Sequence, residues 1–186
     1  MKTKLLALFG ESSSGKDSIR NWLIKNYHIN GIISYTTRPK RENEIDGIDY
    51  YFVSKDEFMK LYLENKIMSW FTFNDWFYGL GVDSFSKNKL NVGVLNIRQI
   101  EGMLESPEII TLPIWIQAHD KTRLLRSINR EKDPDYEEIC RRFLADKKDF
   151  KDINFYHEIY LNDNDDNNYY GILNRPKVAK FVEGLI

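Results

Sequence analysis

The chain has 186 residues, 27 Lys and Arg against 28 Asp and Glu, a formal net charge of -1, and 42% hydrophobic and 14% aromatic residues. That suffices for one ordinary globular domain, and the balanced charge excludes a global basic field of the kind that gathers a protein on nucleic acid or an anionic membrane. The single cysteine, Cys140, excludes an internal disulfide framework and fits a reducing compartment; it reads as a small helix residue.

At the N-terminus, Lys2 and Lys4 followed by Leu5-Leu6-Ala7-Leu8-Phe9 copy the charged and apolar parts of a signal peptide, but the run is short and leads straight into Gly10-Glu11-Ser12. No stretch approaches the ~20 apolar residues of a membrane span, so a cytoplasmic protein without membrane partners is expected. Lys4 to Phe9 suits a strand buried on both faces, and Ile19, Trp22, Leu23 and Ile24 recur at helical spacing after it. Ile32-Ile33-Ser34 reads as another short strand, and the polar segment from Thr36 to Gly47 as an exposed loop. Tyr50 to Val53 resumes a strand. Ser54 with Glu57 is a capping-box signature for a helix carrying Phe58, Leu61 and Leu63. Ile67 to Tyr78 reads as strands around a turn at Asn74-Asp75. Val92 to Leu95 and Ile109 to Ile116 are strands followed by helical segments, the alternation of a doubly wound sheet. Thr122 to Phe150, broken at Pro134, reads as two exposed helices able to move as a flap. Glu158 to Leu161 offers a last strand, and Val178, Phe181, Val182 and Leu185 a closing helix.

The strongest chemical signal is Gly10-Glu11-Ser12-Ser13-Ser14-Gly15-Lys16-Asp17-Ser18 between strand and helix, the G-x-x-x-x-G-K pattern of a phosphate-binding loop. Glycines at both ends let successive N–H groups curl around a phosphate, the helix adds its positive end, and Lys16 brings a point charge to a transferring phosphoryl group. Residues 10 to 18 are therefore the candidate ATP-binding residues, namely Gly10, Ser12, Ser13, Ser14, Gly15, Lys16, Asp17 and Ser18. The hydroxyl residue usual after the lysine is replaced by Asp17. Val92 to Asn96 ends in Asn where such enzymes commonly place an acid, so Asp17 either takes over as a Mg2+ ligand or caps the helix.

Three further strings carry a family resemblance: Ser34-Tyr35-Thr36-Thr37-Arg38-Pro39-Lys40-Arg41, then Glu44 through Val53 (EIDGIDYYFV), then Tyr78-Gly79. With the phosphate loop upstream, the chain resembles the guanylate kinases over nearly its whole length. The resemblance implies an α/β fold: a three-layer P-loop core of parallel sheet flanked by helices, with a small mixed β insert that binds the acceptor and a helical lid. As a single domain over 1–186, the core takes 1–32, 87–121 and 153–186, the insert 33–86 and the lid 122–152. It implies ATP and Mg2+ as cofactors and transfer of the γ-phosphoryl group to a nucleoside monophosphate, GMP or dGMP by family. Ser34, Arg38, Arg41, Tyr50 and Tyr78 are implied to surround the acceptor phosphate, with Glu44 beside them. Arg126, Arg130 and Arg142 are the implied lid arginines, with Arg123 and Arg141 open to exchange with them, and Asn162 the implied contact to adenine. Planar guanidiniums paired on phosphate agree with this on chemical grounds.

At the base-reading positions the chain departs from that family. An acid before a tryptophan is Ser69 before Trp70, a Ser or Thr after Tyr-Gly is Leu80, and an Asp at a strand end is replaced by Leu95, Asn96 or Ile97. Here it resembles the ribose 1,5-bisphosphate phosphokinases, through Gly15-Lys16-Asp17-Ser18, Ser69-Trp70, Tyr78-Gly79-Leu80-Gly81-Val82 and Leu95-Asn96 with Arg98. Three acceptors stay open: a guanine nucleotide, another (d)NMP, or a sugar bisphosphate. A non-catalytic binding module is the rival from another class. The sequence leaves the oligomeric state open.

Overall fold

The first strand explains the layers. In a computed structural model, which describes residues 2–42, 44–130, 132–161 and 175–185, Leu5 to Phe9 of β1 (Thr3–Phe9) are all at most 1% exposed. A strand apolar on both sides must be covered on both. Leu6 and Leu8 pack against Ile19 and Leu23 of α1 (Lys16–Tyr27) and against Val182 near the C-terminus. Leu5, Ala7 and Phe9 face the other way, into a second cluster with Leu80, Ile100 and Met103.

The chain leaves this core after β2 (Asn30–Gly31) and builds β3 (Ser34–Thr36), β4 (Tyr50–Phe52), α2 (Lys55–Leu63), β5 (Ile67–Phe73) and β6 (Trp76–Gly81). It returns with β7 (Asn91–Val94), α3 (Ile97–Leu104) and β8 (Ile109–Gln117), runs through α4 (Asp120–Asn129) and α5 (Tyr136–Asp149), and closes with β9 (Glu158–Leu161) and α6 (Arg175–Glu183). Two sheets result. One is wholly parallel, in the order β2-β7-β1-β8-β9; the other is mixed, in the order β4-β3-β6-β5. The α/β architecture read from the sequence is the one observed.

Local signals account for the smaller elements. The Ser54 hydroxyl caps α2 by accepting from the Glu57 N–H at 3.1 Å, and the turn between β5 and β6 is made by Asn74 and Asp75, both with positive φ. The expected strand Ile32-Ile33-Ser34 is instead a crossing between sheets. Ile32 still donates to Val92 at 2.9 Å beside β7, whereas Ser34 is in register with Leu80 of β6. The flap reading of Thr122 to Phe150 also needs correction at its root. Both helices form and α5 buries no residue, but Arg123 of α4 is 2% exposed. The phosphate loop and its surroundings lie beyond the carboxyl ends of the parallel strands, where ligands bind in open α/β sheets.

Candidate active site

The loop between β1 and α1 is shaped by its two glycines. Gly10 has φ +147°, and a Cβ there would overlap the Ile116 carbonyl oxygen; Gly15 has φ +94° and is the N-cap of α1 with no side-chain cap. The helix start is thus left with its N–H groups toward the loop. Asp17 stands in the first turn, two residues after the Gly15 cap, where an acid favours the helix start, and is exposed on the wall of a cavity of about 950 Å³. Lys16 Nζ donates to the Glu11 carbonyl oxygen at 2.8 Å. Burial pushes its pKa below the ordinary lysine value, against the opposing pull of Asp17, Asp146 and Glu11. Ser18 is exposed and Ser14 buried. Ser13 holds a left-handed φ of 61° at the loop tip.

Facing this loop is a cluster of cations that the sequence scatters over a hundred residues. Thr36 and Thr37 fix the exit from β3: the Thr36 hydroxyl accepts from the Arg38 N–H at 3.2 Å, and the Thr37 hydroxyl from the Phe77 N–H at 2.9 Å. Arg38 is thereby turned inward, 7% exposed, paired with Glu44 at 2.7 Å and lying over the Tyr50 ring at 5.6 Å. Glu44 also accepts from the Arg41 N–H at 2.8 Å. Burial raises the Glu44 pKa, but the bonds from Arg38 and Arg41 more than offset this and leave it below the ordinary carboxylate value. Asp46 and Asp49 of the same string have local work: they accept from the Phe52 and Ile45 N–H groups at 2.9 and 2.8 Å and fold the loop upon itself.

Burial lowers the Arg41 pKa, and Arg38, Arg130 and Arg142 lower it further, which places four guanidiniums in one field. Arg38, Arg41, Arg130 and Arg142 line both the 950 Å³ cavity and an adjoining one of about 480 Å³. Ser34, Tyr50 and Tyr78 line the larger one. Burial, with the Asp17 charge behind it, raises the Tyr50 pKa, so its phenol stays protonated and able to donate. Such a concave surface of fixed cations and neutral donors suits phosphate oxygens.

From the α4–α5 pair, Arg126 donates to the Ser13 and Ser14 carbonyl oxygens of the loop at 3.4 Å each. Arg142 Nε is held by Glu138 at 2.5 Å. Of the alternatives, Arg123 is buried beneath the loop yet lines the 480 Å³ cavity, and Arg141 lies on the outside, on Glu138 and over the Phe73 ring at 5.2 Å. Asn162 lies outside the described residues. Glu138 and Asp146 escape the sequence reading, which names Arg123 only as an alternative lid arginine. Glu138 has a signal, a carboxylate three and four residues before Arg141 and Arg142 on one helix, whereas Asp146 has none, because its partners are Ser12 and Arg123.

The base-reading positions do not join this cluster. Leu80, expected at the acceptor, is 0% exposed in the core cluster with Ile32 and Leu95, because its side of β6 faces the parallel sheet. Asn96 caps α3, accepting from the Gln99 N–H at 2.8 Å, while Gln99 Oε1 accepts from the Asn96 N–H at 3.1 Å. Ser69 sits at a bulge in β5 with φ +49° and lines a separate cavity of about 250 Å³ with Trp70, Phe71, Thr72, Arg98 and Gln99. Phe71, on that cavity, stacks at 5.1 Å on Tyr78, which lines the larger one.

A family model described as guanylate kinase matches residues 2–176. The guanylate kinase of Wigglesworthia glossinidia brevipalpis is 31% identical over 167 residues, covering 87% of this chain and 81% of the relative. That of Schizosaccharomyces pombe is 39% identical over 84 residues, a match spanning 44% of this chain and 42% of that enzyme's length. Among solved structures, the guanylate kinase of Anaplasma phagocytophilum superposes with a TM-score of 0.62 at 21% identity, covering 99% of this chain and 85% of the other, which bears on the fold. With a family model spanning nearly all of its length and a relative aligned across most of it, the chain belongs to the guanylate kinase family.

Proposed function

We propose that this protein is an ATP-dependent phosphotransferase that moves the γ-phosphoryl group of ATP to the phosphate of a nucleoside monophosphate. The observation that carries the reading is the convergence of Arg38, Arg41, Arg130 and Arg142 on cavities whose opposite wall is the phosphate loop. In this reading 33–86 is the acceptor-binding insert and 122–152 the lid. Lys16 and the loop amides hold the donor phosphates, while Arg38, Arg41, Ser34, Tyr50 and Tyr78 hold the acceptor phosphate, oriented by Glu44. An acceptor phosphate oxygen forms the new bond to the γ-phosphorus as the bond to the β-γ bridging oxygen breaks, and ADP leaves with that electron pair. The acceptor oxygen is already anionic, so positioning and charge stabilisation suffice without a general base. Arg126, Arg130 and Arg142 supply that charge from the lid side.

The donor set suits Mg2+, which on phosphates needs only one or two protein oxygens; Asp17, exposed on the cavity wall beside the helix start, is the residue that would hold it. When bound, the ion neutralises charge on the β- and γ-oxygens. The exposed lone thiol of Cys140 suits a reducing, cytoplasmic setting, and no described helix is long and apolar enough to cross a membrane.

The acceptor by family is GMP or dGMP. A second reading is favoured by Arg98: it stands with Ser69 and Thr72 on the 250 Å³ cavity, which no carboxylate lines among the described residues. Guanine offers N–H donors there and needs an acceptor, whereas a guanidinium with hydroxyls suits a second phosphate, as in ribose 1,5-bisphosphate, or an acceptor-rich base edge. The test is phosphoryl transfer from ATP and Mg2+ to a panel of (d)NMPs and ribose 1,5-bisphosphate, beside Lys16→Ala, which is expected to fold and lose at least about a hundredfold in kcat. Turnover of none of them, with ATP still bound, would overturn the enzyme reading in favour of a binding module.

A further inference from the structure

The phosphate loop is fastened to the α4–α5 pair by one ion pair that the transfer chemistry above does not use. Asp146 of α5 accepts from the Ser12 backbone N–H at 2.8 Å, and Arg123 of α4 donates from Nε to the Ser12 carbonyl oxygen at 3.1 Å. The two side chains close on one another, Arg123 to Asp146 Oδ2 at 2.5 Å. Ser12 is thus gripped by both of its main-chain polar groups, from two helices, through side chains 3% and 15% exposed. Arg123 is further placed by Asp120 at 3.3 Å and by the Phe143 ring at 5.2 Å.

What is gripped is the strained part of the loop. Ser13, the next residue, holds a left-handed φ of 61°, a conformation a non-glycine residue keeps only when its surroundings impose it. Its hydroxyl lies 2.7 Å from that of Ser127 on α4, and the Ser14 N–H returns to the Glu11 carbonyl oxygen at 3.2 Å. The same Glu11 carbonyl receives Lys16 Nζ, so the turn that the ion pair holds also sets where the lysine ammonium rests. Removing the grip frees Ser12 and Ser13 to relax, and with them the amides and the lysine that a donor phosphate meets.

We propose that Arg123 and Asp146 are positioning residues for the donor: the pair presses the phosphate loop into its ATP-binding shape from the lid side, and so makes ATP affinity depend on the lid helices being docked. The inference rests on the phosphotransferase reading for its kinetic consequence, but not for its binding consequence.

The experiment compares wild type with Asp146→Asn, whose Oδ1 can still accept from Ser12, and with the double variant Arg123→Met/Asp146→Leu, which removes both members of the pair together. ATP binding is measured by calorimetry without acceptor, and KM for ATP and for the acceptor by steady-state kinetics. The double variant is expected to stay folded, to lose about tenfold or more in ATP affinity and to keep the acceptor KM within about twofold, with Asp146→Asn between it and wild type. Unchanged ATP affinity in a folded double variant would reduce the pair to a structural fastening and overturn the proposal. Tighter ATP binding would overturn it too, making Asp146 a competitor of the phosphate. If the double variant does not fold, the same comparison with Asp146→Asn decides. A wild type that binds ATP, shows this dependence and phosphorylates nothing removes the phosphotransferase reading and leaves the positioning role; a wild type that binds no ATP removes both.

Discussion

The two ends of the proposed acceptor region are built by different rules. At the phosphate end, Arg38, Arg41 and Tyr50 are set by a short stretch of chain whose threonines and aspartates fix its path, Tyr78 joins them from β6, and the cations of the α4–α5 segment close on them. At the far end, β5, β6 and the start of α3 come together with Leu80 in the core, Asn96 engaged as a helix cap, and Ser69 and Arg98 on a cavity wall with Trp70, Phe71, Thr72 and Gln99. Phosphate recognition tolerates little change, because a planar guanidinium has to meet tetrahedral oxygens in a fixed geometry. Recognition of what lies beyond the phosphate turns on a few donors and acceptors, and exchanging them leaves the fold intact while the ligand changes.

Arg38→Met should do the most damage at the phosphate end. It removes a cation from the proposed acceptor site and leaves Glu44, 16% exposed, without its nearest partner, so the acceptor KM is expected to rise about a hundredfold with the ATP KM little changed. Initial rates at varied acceptor, with a melting curve to confirm folding, measure this; an unaltered acceptor KM would mean that Arg38 only fastens Glu44. At the far end the change should be a gain. Ser69→Glu restores an acceptor beside the cavity and, combined with Arg98→Ala, is expected to raise kcat/KM for GMP by about tenfold, the worth of one satisfied buried donor. No gain for GMP would show that guanine is read by other residues, and that the far end differs less from the near end than Ser69 and Arg98 indicate.

The smallest effect concerns Glu138, which holds Arg142 on the cavity wall. The bond from Arg141, assisted by Arg142 against the cost of burial, pushes its carboxyl down to about 2. A depressed folded-state pKa contributes stability that is complete above the ordinary value of 4.5 and is lost as the pH falls from there toward 2. Wild type should therefore melt higher than Glu138→Gln at neutral pH by no more than about 1 kcal/mol, since the pair is partly exposed. The difference should vanish near pH 2. A difference constant over that range would show that Glu138 acts through packing rather than charge.

How much of this was legible depended on sequence distance. The phosphate loop, the β3 exit string and the β5–β6 turn are written in contiguous residues, because a tight turn or a helix start demands particular residue types at fixed offsets. Glu138 could have been read at helical spacing from Arg141 and Arg142. The crossing at Ile32-Ile33 could not, because a single apolar pair serves two sheets there, nor could the burial of Leu80, because which face of β6 meets the parallel sheet depends on how the two sheets dock. Asp146 looks like one more acid on a charged helix until the fold brings it to Ser12, 134 residues away along the chain.

By itself, then, the sequence determined most of the elements and the phosphate-loop pattern, since local backbone geometry and charge type are properties of short segments. Tertiary structure alone decided which arginines face the cavities, which one is buried under the loop, and that Ser69 and Arg98 share a wall while Leu80 does not. Those outcomes follow from packing two sheets and two helices around one loop, and packing is a property of surfaces brought together from distant parts of the chain.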